Sequence, residues 1–181
     1  MGQQYPEITP ALSQWIGQQR LFFVATAPLS TEGHINCSPK GGDCFRVIDS
    51  HTVAYQDLTG SGAETLAHLR DNGRIVVMFC AFEGPPQIVR LHGQGQVFTT
   101  QEAEFEDLAR HFSPSLGTRS IVRITVTRVS SSCGYGVPLM AHQGDRDLLE
   151  PWAEKKGATA LEAYRQQKNR FSIDGLPAWG D

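Results

Sequence analysis

Residues 119–130 alternate apolar and polar side chains so regularly that they predict a β-strand with one buried face. Val122, Ile124 and Val126 form the apolar side of this strand. Shorter strands are predicted before it, at residues 21–27, from residue 34 onward, and at 44–48, 51–56, 74–82 and 87–99. A run of short strands separated by tight turns is typical of a β-barrel or a β-sandwich.

Composition and charge exclude several classes of protein. The chain has 181 residues, of which 40% are hydrophobic and 19% charged, and these values suit one globular domain with a sizeable core. A net charge of −3 argues against a nucleic-acid partner, which a basic surface would favour. The longest apolar run, residues 75–82, is far too short to span a membrane. We therefore expect neither a nucleic-acid nor a membrane partner.

The cysteines favour a reducing compartment. Cys37, Cys44, Cys80 and Cys133 are widely spaced, and no Cys-x-x-Cys pair is present. Cys80 lies in an apolar strand and is expected to pack as a small core residue. The six histidines also lack the close pairing of a metal site. These features predict a cytoplasmic protein without a metal centre, and the start of the chain lacks the charged and apolar regions of a secretory signal.

A glycine-rich bend leads from one predicted strand directly into a helix. The bend is Thr-Gly-Ser-Gly at residues 59–62, and Ser61 with Glu64 has the spacing of a capping box. Asn72-Gly73 is expected to end this helix, because a glycine adopts the left-handed conformation at a helix C-terminus without strain. A helix N-terminus preceded by glycines favours a bound anion.

Three further helices are predicted. Thr9 and Pro10 have the capping and first-turn preferences of a helix start, and Thr99 with Glu102 forms a second capping box. Residues 145–168 also favour helix, with breaks expected near Pro151 and at Gly157. We therefore expect a β-rich domain at residues 1–138 and a helical C-terminal extension at residues 139–181 that packs on the same domain.

The strand that begins at residue 34 ends in Ser-Pro-Lys-Gly-Gly at residues 38–42. Lys40 could be an ordinary solvated turn residue, because most lysines are exposed. Together with the glycine-rich bend, however, a lysine in such a turn supplies the parts of a pocket for a phosphorylated small molecule. Neither a P-loop nor a dinucleotide-binding fingerprint is present.

The order of these motifs resembles the pyridoxamine 5′-phosphate oxidase-like family. The matching motifs are Ser-Pro-Lys-Gly at 38–41, Asp-x-Thr-Gly-Ser-Gly at 57–62, Asn-Gly-Arg-Ile at 72–75, Gly-x-Pro at 84–86 and Val-Arg-Leu-x-Gly at 89–93. The resemblance covers residues 15–138. It implies a mainly β (α+β) fold, a split β-barrel with peripheral helices, and a homodimer that binds FMN at the subunit interface.

The resemblance also implies the cofactor-binding residues, by position in this sequence. They are Asn36, Cys37, Ser38, Lys40, Tyr55, Gln56, Thr59, Ser61, Thr65, Gln87 and Arg90. No catalytic residue can be named in this way, because no acid–base pair stands near the motifs.

The chain departs from the family where the oxidase carries an Arg-Lys pair near the start of the helix. Glu64 and Thr65 occupy those positions. A carboxylate about 4 Å from a phosphate would repel it by about 4 kcal/mol at an effective dielectric of 20. Glu64 should therefore turn back into its capping box, and Lys40, Arg74 and Arg90 are the candidate cations. The departure also argues against pyridoxamine phosphate as the substrate.

These observations predict an FMN-dependent oxidoreductase that acts on a small molecule. The alternative is a flavin- or haem-binding carrier or sensor without turnover, which the missing acid–base pair favours. A β-barrel interaction protein without a cofactor is a third interpretation.

Overall fold

Eight β-strands form one antiparallel sheet in the computed structural model, which describes residues 2–180. The strands are β1 (Gln3–Tyr5), β2 (Leu21–Thr26), β3 (Asn36–Gly41), β4 (Phe45–Val47), β5 (Thr52–Leu58), β6 (Arg74–Cys80), β7 (Ile88–Phe98) and β8 (Thr118–Ser132). Their order across the sheet is β3-β2-β6-β7-β8-β5-β4, and β1 pairs with the end of β8. The helices are α1 (Pro10–Gly17), α2 (Glu64–Asn72), α3 (Glu104–Ala109) and α4 (Leu149–Lys168).

The sheet curls until strands from its two ends share one core. The ring of Phe22 on β2 lies 5.1 Å from that of Phe45 on β4 and 5.8 Å from that of Tyr55 on β5. The core is built from the alternate residues of β2, β5, β6, β7 and β8 that face inward, together with Leu12 and Ile16 of α1. The predicted split β-barrel is therefore confirmed.

The predicted long strand is the backbone of this barrel. β8 pairs with β7 along most of its length and with β5 over its first half. Val122, Ile124 and Val126 are buried in the core, as the alternation predicts. The register between β7 and β8 shifts at His92/Gly93, an irregularity that a glycine within a strand accommodates.

Helix α1 begins and helix α2 ends as predicted. Thr9 is the N-cap of α1, and its hydroxyl accepts a hydrogen bond from Leu12 N at 3.2 Å, with Pro10 in the first turn. Gly73 ends α2 in the left-handed conformation with φ of 72°.

The capping box predicted at the start of α2 is wrong. The N-cap is Ala63, which makes no side-chain capping bond, and the carboxylate of Glu64 instead accepts from Ile173 N at 3.3 Å. Tertiary contacts explain the difference: Arg119 Nη1 donates to Gly62 O, and Asn169 Nδ2 donates to Gly60 O. These bonds hold the bend outside the helix, so Ser61 cannot cap it.

The second predicted capping box forms in a turn before α3. Glu102 accepts hydrogen bonds from the main-chain N–H of Thr99 at 2.6 Å and from its hydroxyl, but the helix starts only at Glu104. Phe105, Leu108 and Phe112 face Ile121 in a second apolar cluster.

The C-terminal extension lies against the glycine-rich bend and helix α2. Helix α4 kinks at Gly157, where φ is 72°, as expected; Pro151 does not break it, because proline is tolerated in a first helical turn. Arg165 and Asn169 contact the bend, and Ala178 and Trp179 pack with Leu66 of α2.

Two further observations concern the chain as a whole. The four cysteines are free thiols, and Cys80 is buried as expected, with a pKa that burial raises. Among residues 2–180, none of the helices has both the length and the apolar character needed to cross a bilayer.

Replacing Gly93 with alanine should lower the free energy of unfolding by about 2–3 kcal/mol, because overpacking forces the backbone to shift. The added Cβ would lie 2.2 Å from Thr125 O. The matched control is Gly136→Ala, whose Cβ would meet no atom within 4 Å and which should change stability by less than about 0.5 kcal/mol. Urea denaturation of both variants measures the difference, and equal stabilities would contradict the close approach of β7 and β8.

Candidate functional site

Three polar side chains stand in a row on one side of strand β3. Asn36, Ser38 and Lys40 are half-buried, whereas Cys37 and Pro39 between them are exposed on the opposite side. The period of two along a strand produces this separation. We call Asn36, Ser38 and Lys40 the β3 polar row. It includes three of the residues predicted to bind a cofactor.

Hydrogen bonds connect the start of this row to helix α2. Asn36 Nδ2 donates to Thr65 Oγ1 at 3.0 Å and to Thr26 Oγ1 at 3.2 Å, and Ser38 Oγ donates to Asn36 Oδ1 at 2.9 Å. Both amide atoms of Asn36 are therefore engaged, and its orientation is fixed. The predicted residues Asn36, Ser38 and Thr65 form one connected group.

A buried histidine continues this network into the interior. His68 of α2 is fully buried, and its Nδ1 lies 3.0 Å from Thr26 Oγ1. Its Nε2 has no hydrogen-bond partner among the described residues. Burial lowers the pKa of His68, so the neutral ring is the stable form at neutral pH.

An ionic cluster lies at the other end of the row. Lys40 Nζ lies 3.1 Å from Asp57 Oδ1, and Arg119 Nη2 lies 2.7 Å from Asp57 Oδ2. The side chain of Asp57 is 1% exposed and that of Arg119 is 5% exposed, whereas that of Lys40 is 20% exposed. We call Lys40, Asp57 and Arg119 the ionic cluster.

The ionic cluster carries a surplus positive charge. Burial alone would raise the pKa of Asp57, but the charges and hydrogen bonds of Arg119 and Lys40 outweigh it and lower the pKa below its ordinary value. Asp57 is therefore ionised, and two cations surround one carboxylate. Because Lys40 is the most exposed member, the surplus charge faces the surface at the β3 polar row.

The main chain before helix α2 carries free hydrogen-bond donors. The N–H of Thr59 donates to Gly117 O, and that of Ala67 donates to Ala63 O. The main-chain N–H groups of residues 60–66, which lie between them, donate to no acceptor in the described part of the chain. Ser61 and Gly62 are exposed, so a ligand can reach this end of the helix.

The predicted hydroxyl ligands near this segment differ in their surroundings. Thr59 is fully buried; its hydroxyl donates to Gly117 O at 2.9 Å and accepts from Arg165 Nε at 2.9 Å. The side chain of Thr59 thus holds the segment together, whereas Ser61 is exposed.

The remaining predicted residues lie away from the row or beneath it. Tyr55 is fully buried in the core, with its ring 5.5 Å from Lys40 Nζ. Gln56 donates to Ser113 O and Thr118 Oγ1, and Arg90 of β7 donates to Ser132 Oγ. Gln87 is half-buried, and its carbonyl accepts from Ala81 N.

Sequence reasoning missed the partners that organise this site. Asp57 stood within the matched motif but was given no role, and Arg119 was read only as the start of a strand. A carboxylate at an apolar strand end was the available signal for Asp57, because a buried charge needs a partner. Thr26 and His68 carried no such signal, since neither belongs to a motif.

The curled sheet and the polar site beside it are those of a split-barrel protein. Comparison with known families gives the same class. A family model described as pyridoxamine 5′-phosphate oxidase matches residues 8–133. A curated relative, the "Pyridoxamine 5′-phosphate oxidase family protein ustO" of Aspergillus flavus, is 37% identical over 190 residues, covering 96% of this chain and 76% of the relative. The chain therefore belongs to the pyridoxamine 5′-phosphate oxidase family.

Solved structures show the same fold. HupZ from Group A Streptococcus matches with a TM-score of 0.55 and 26% identity, covering 69% of this chain and 99% of that one. A Lactobacillus delbrueckii protein named after pyridoxamine 5′-phosphate oxidase matches with a TM-score of 0.54 and 14% identity, covering 69% and 94%.

Replacing Asp57 with asparagine should lower the free energy of unfolding by about 3–5 kcal/mol, because two largely buried cations would lose their counter-charge. Asp43→Asn is the control: Asp43 pairs with Arg46 at the surface, its side chain is 77% exposed, and its loss should cost less than about 1 kcal/mol. Thermal and urea denaturation at neutral pH measure both. A mild effect at Asp57 would show that the ionic cluster does not stabilise the fold.

Proposed function

We propose that this protein binds FMN at the β3 polar row and acts as a flavin-dependent oxidoreductase on a small molecule. The observation that carries the proposal is the surplus positive charge of the ionic cluster, which lies next to the free main-chain donors of residues 60–66. Membership of the pyridoxamine 5′-phosphate oxidase family supports the same cofactor.

The N-terminal end of α2 suits the phosphate of FMN. Consecutive N–H groups and the positive end of a helix dipole favour an anion, and Thr65 adds a hydroxyl. Glu64 accepts from Ile173 N through Oε1, but its Oε2 lies beside Gly62, so a bound phosphate would require this side chain to turn away from the bend. Main-chain donors thus take over a role that the family gives to an Arg-Lys pair.

The β3 polar row suits the flavin ring. Ring nitrogens and oxygens need fixed hydrogen-bond partners, and the bonds of Asn36 to Thr26 and Thr65 hold that side chain in place. Lys40 would bring positive charge close to the ring, which favours the reduced anionic form. FMN would supply hydride chemistry, and this chain would bind and orient it and tune its charge.

Lys40→Gln should weaken FMN binding by about tenfold or more, because it removes the exposed cation of the ionic cluster. FMN should also bind the unaltered protein about tenfold more tightly than riboflavin, which lacks the phosphate. Lys155→Gln, at an exposed position of α4, is the charge-matched control and should bind FMN normally. Quenching of flavin fluorescence measures the flavin affinities of the unaltered protein and of both variants.

Two results would contradict the proposal. Equal affinities for FMN and riboflavin would show that the protein has no phosphate site. A lack of any flavin binding would show that FMN is not its cofactor. If FMN binds, anaerobic addition of NADH or NADPH tests for catalysis. Bleaching of the flavin absorbance supports an oxidoreductase, and an inert flavin supports the carrier or sensor alternative.

We also propose that the protein works as a homodimer, because the predicted cofactor residues lie on two faces of the sheet. The β3 polar row faces α2 and Asp57. Arg90 lies instead on the outer face, in register with Met78 of β6 and, through it, with Phe23 of β2. The β3 polar row and Arg90 therefore lie on opposite faces of the sheet in one chain, and a second copy packed on the outer face would bring its own side chains to Arg90.

Light scattering should therefore give a mass of twice 19.9 kDa for the protein in solution. Met78→Arg should shift the mass toward that of a monomer, because it places a charge in the proposed interface. Leu29→Arg, at an exposed loop position elsewhere, is the control and should leave the dimer intact. A monomeric unaltered protein would overturn this part of the proposal.

A further inference from the structure

A cavity of about 420 Å³ lies between the outer side of the barrel and the C-terminal extension. Gln56 of β5 and Ile121 of β8 form its floor, Phe105 of α3 one wall, and Leu161 and Arg165 of α4 the other. Cavities that bind small molecules have about this volume, with mainly apolar walls and a few polar groups. No residue of the β3 polar row lines it.

Arg165 is an incompletely neutralised cation in this cavity. Its side chain is 12% exposed, and its hydrogen bonds go to neutral acceptors, Thr59 Oγ1 and Thr118 O. The nearest carboxylate oxygen, on Glu162, lies 3.7 Å from Nη1, beyond hydrogen-bond distance. Buried charges in proteins are ordinarily paired, so this guanidinium can accept a further anion.

The surroundings of Arg165 also favour a further anion beside its guanidinium. Burial is the main cause that lowers its pKa; the charge of Arg119 acts in the same direction, and those of Glu162 and Asp57 act against it. Glu162 Oε2 forms only a loose ion pair with Arg165 at 3.7 Å, because its Oε1 is held by Trp179 Nε1 and Gln166 Nε2, and the Arg165 guanidinium also lies 5.4 Å from the centre of the Trp179 ring. The other charged residue that lines the cavity, Glu106, is exposed, and solvent screens it.

We propose that this cavity is a second ligand site, which binds a small organic anion with an apolar body. Arg165 would pair with the anionic group, and the apolar walls formed by Phe105, Ile121 and Leu161 would enclose the rest of the ligand. The site lies apart from the β3 polar row, although Arg165 also donates to Thr59 at the bend before α2.

Calorimetric titration with 2-naphthoate tests the proposal, with 2-naphthamide as the uncharged analogue of the same shape. The acid should bind about tenfold or more tightly than the amide, because only the acid carries the charge that Arg165 would neutralise. Arg165→Gln should reduce binding of the acid by a similar factor and leave binding of the amide unchanged.

A second pair of variants keeps the test valid if Arg165→Gln fails to fold. Ala158 is exposed at the mouth of the cavity, and Ala158→Trp should block the entrance and abolish binding. Ala160→Trp, two positions further along the same helix and outside the cavity lining, should bind normally. FMN titration of each variant reports the other site and should not change.

No binding of 2-naphthoate at about 1 mM would overturn the proposal, since a built site of this size should exceed that affinity. Equal binding of the acid and the amide, or full binding by Ala158→Trp, would also overturn it. Equal binding of the acid and the amide would show that Arg165 does not recognise the charge. Full binding by Ala158→Trp would show that the ligand binds outside this cavity.

Discussion

The candidate site depends on the ion pairs that Asp57 forms with Lys40 and Arg119. Asp57 lies on β5, next to one edge of the sheet, and its carboxylate pairs with Lys40 on β3 at the other edge and with Arg119 on β8, so it joins the two ends of the curled sheet. Arg119 also donates to Gly62 O and thereby fixes the bend before α2. One buried carboxylate therefore helps to close the barrel, sets the position of Lys40 and shapes the segment with free N–H groups.

The barrel could be predicted from the sequence because its elements are local. The alternation around Val122 to Val126, the stop at Gly73 and the cap at Thr9 each depend on residues close in the chain, and the structure has all three. The capping box of Glu64 failed because its outcome depends on Ile173 and Asn169, more than a hundred residues away. Sequence patterns near a helix start do not reveal such competitors.

The candidate site was predictable only in part, for a related reason. Asn36, Ser38 and Lys40 lie on one side of β3, but Cys37, which is predicted with them, lies on the other, and the Asn36–Thr65 bond unites two predicted residues. Tyr55 and Gln56 illustrate the limit: neighbours on one strand, they point into the core and into the outer cavity respectively. A motif fixes where a residue lies along the chain, whereas sheet curvature decides what it faces.

The C-terminal extension explains how the chain tolerates a carboxylate at position 64. Asn169 and Arg165 hold the bend from outside, and Ile173 N donates to the carboxylate of Glu64. With the bend held by the extension, side-chain cations are not needed there to order it, and main-chain donors are left for an anion. The same packing creates the outer cavity, because α4 covers β5 and β8 with Arg165 between them. The C-terminal extension therefore both fixes the bend before α2 and forms one wall of the outer cavity.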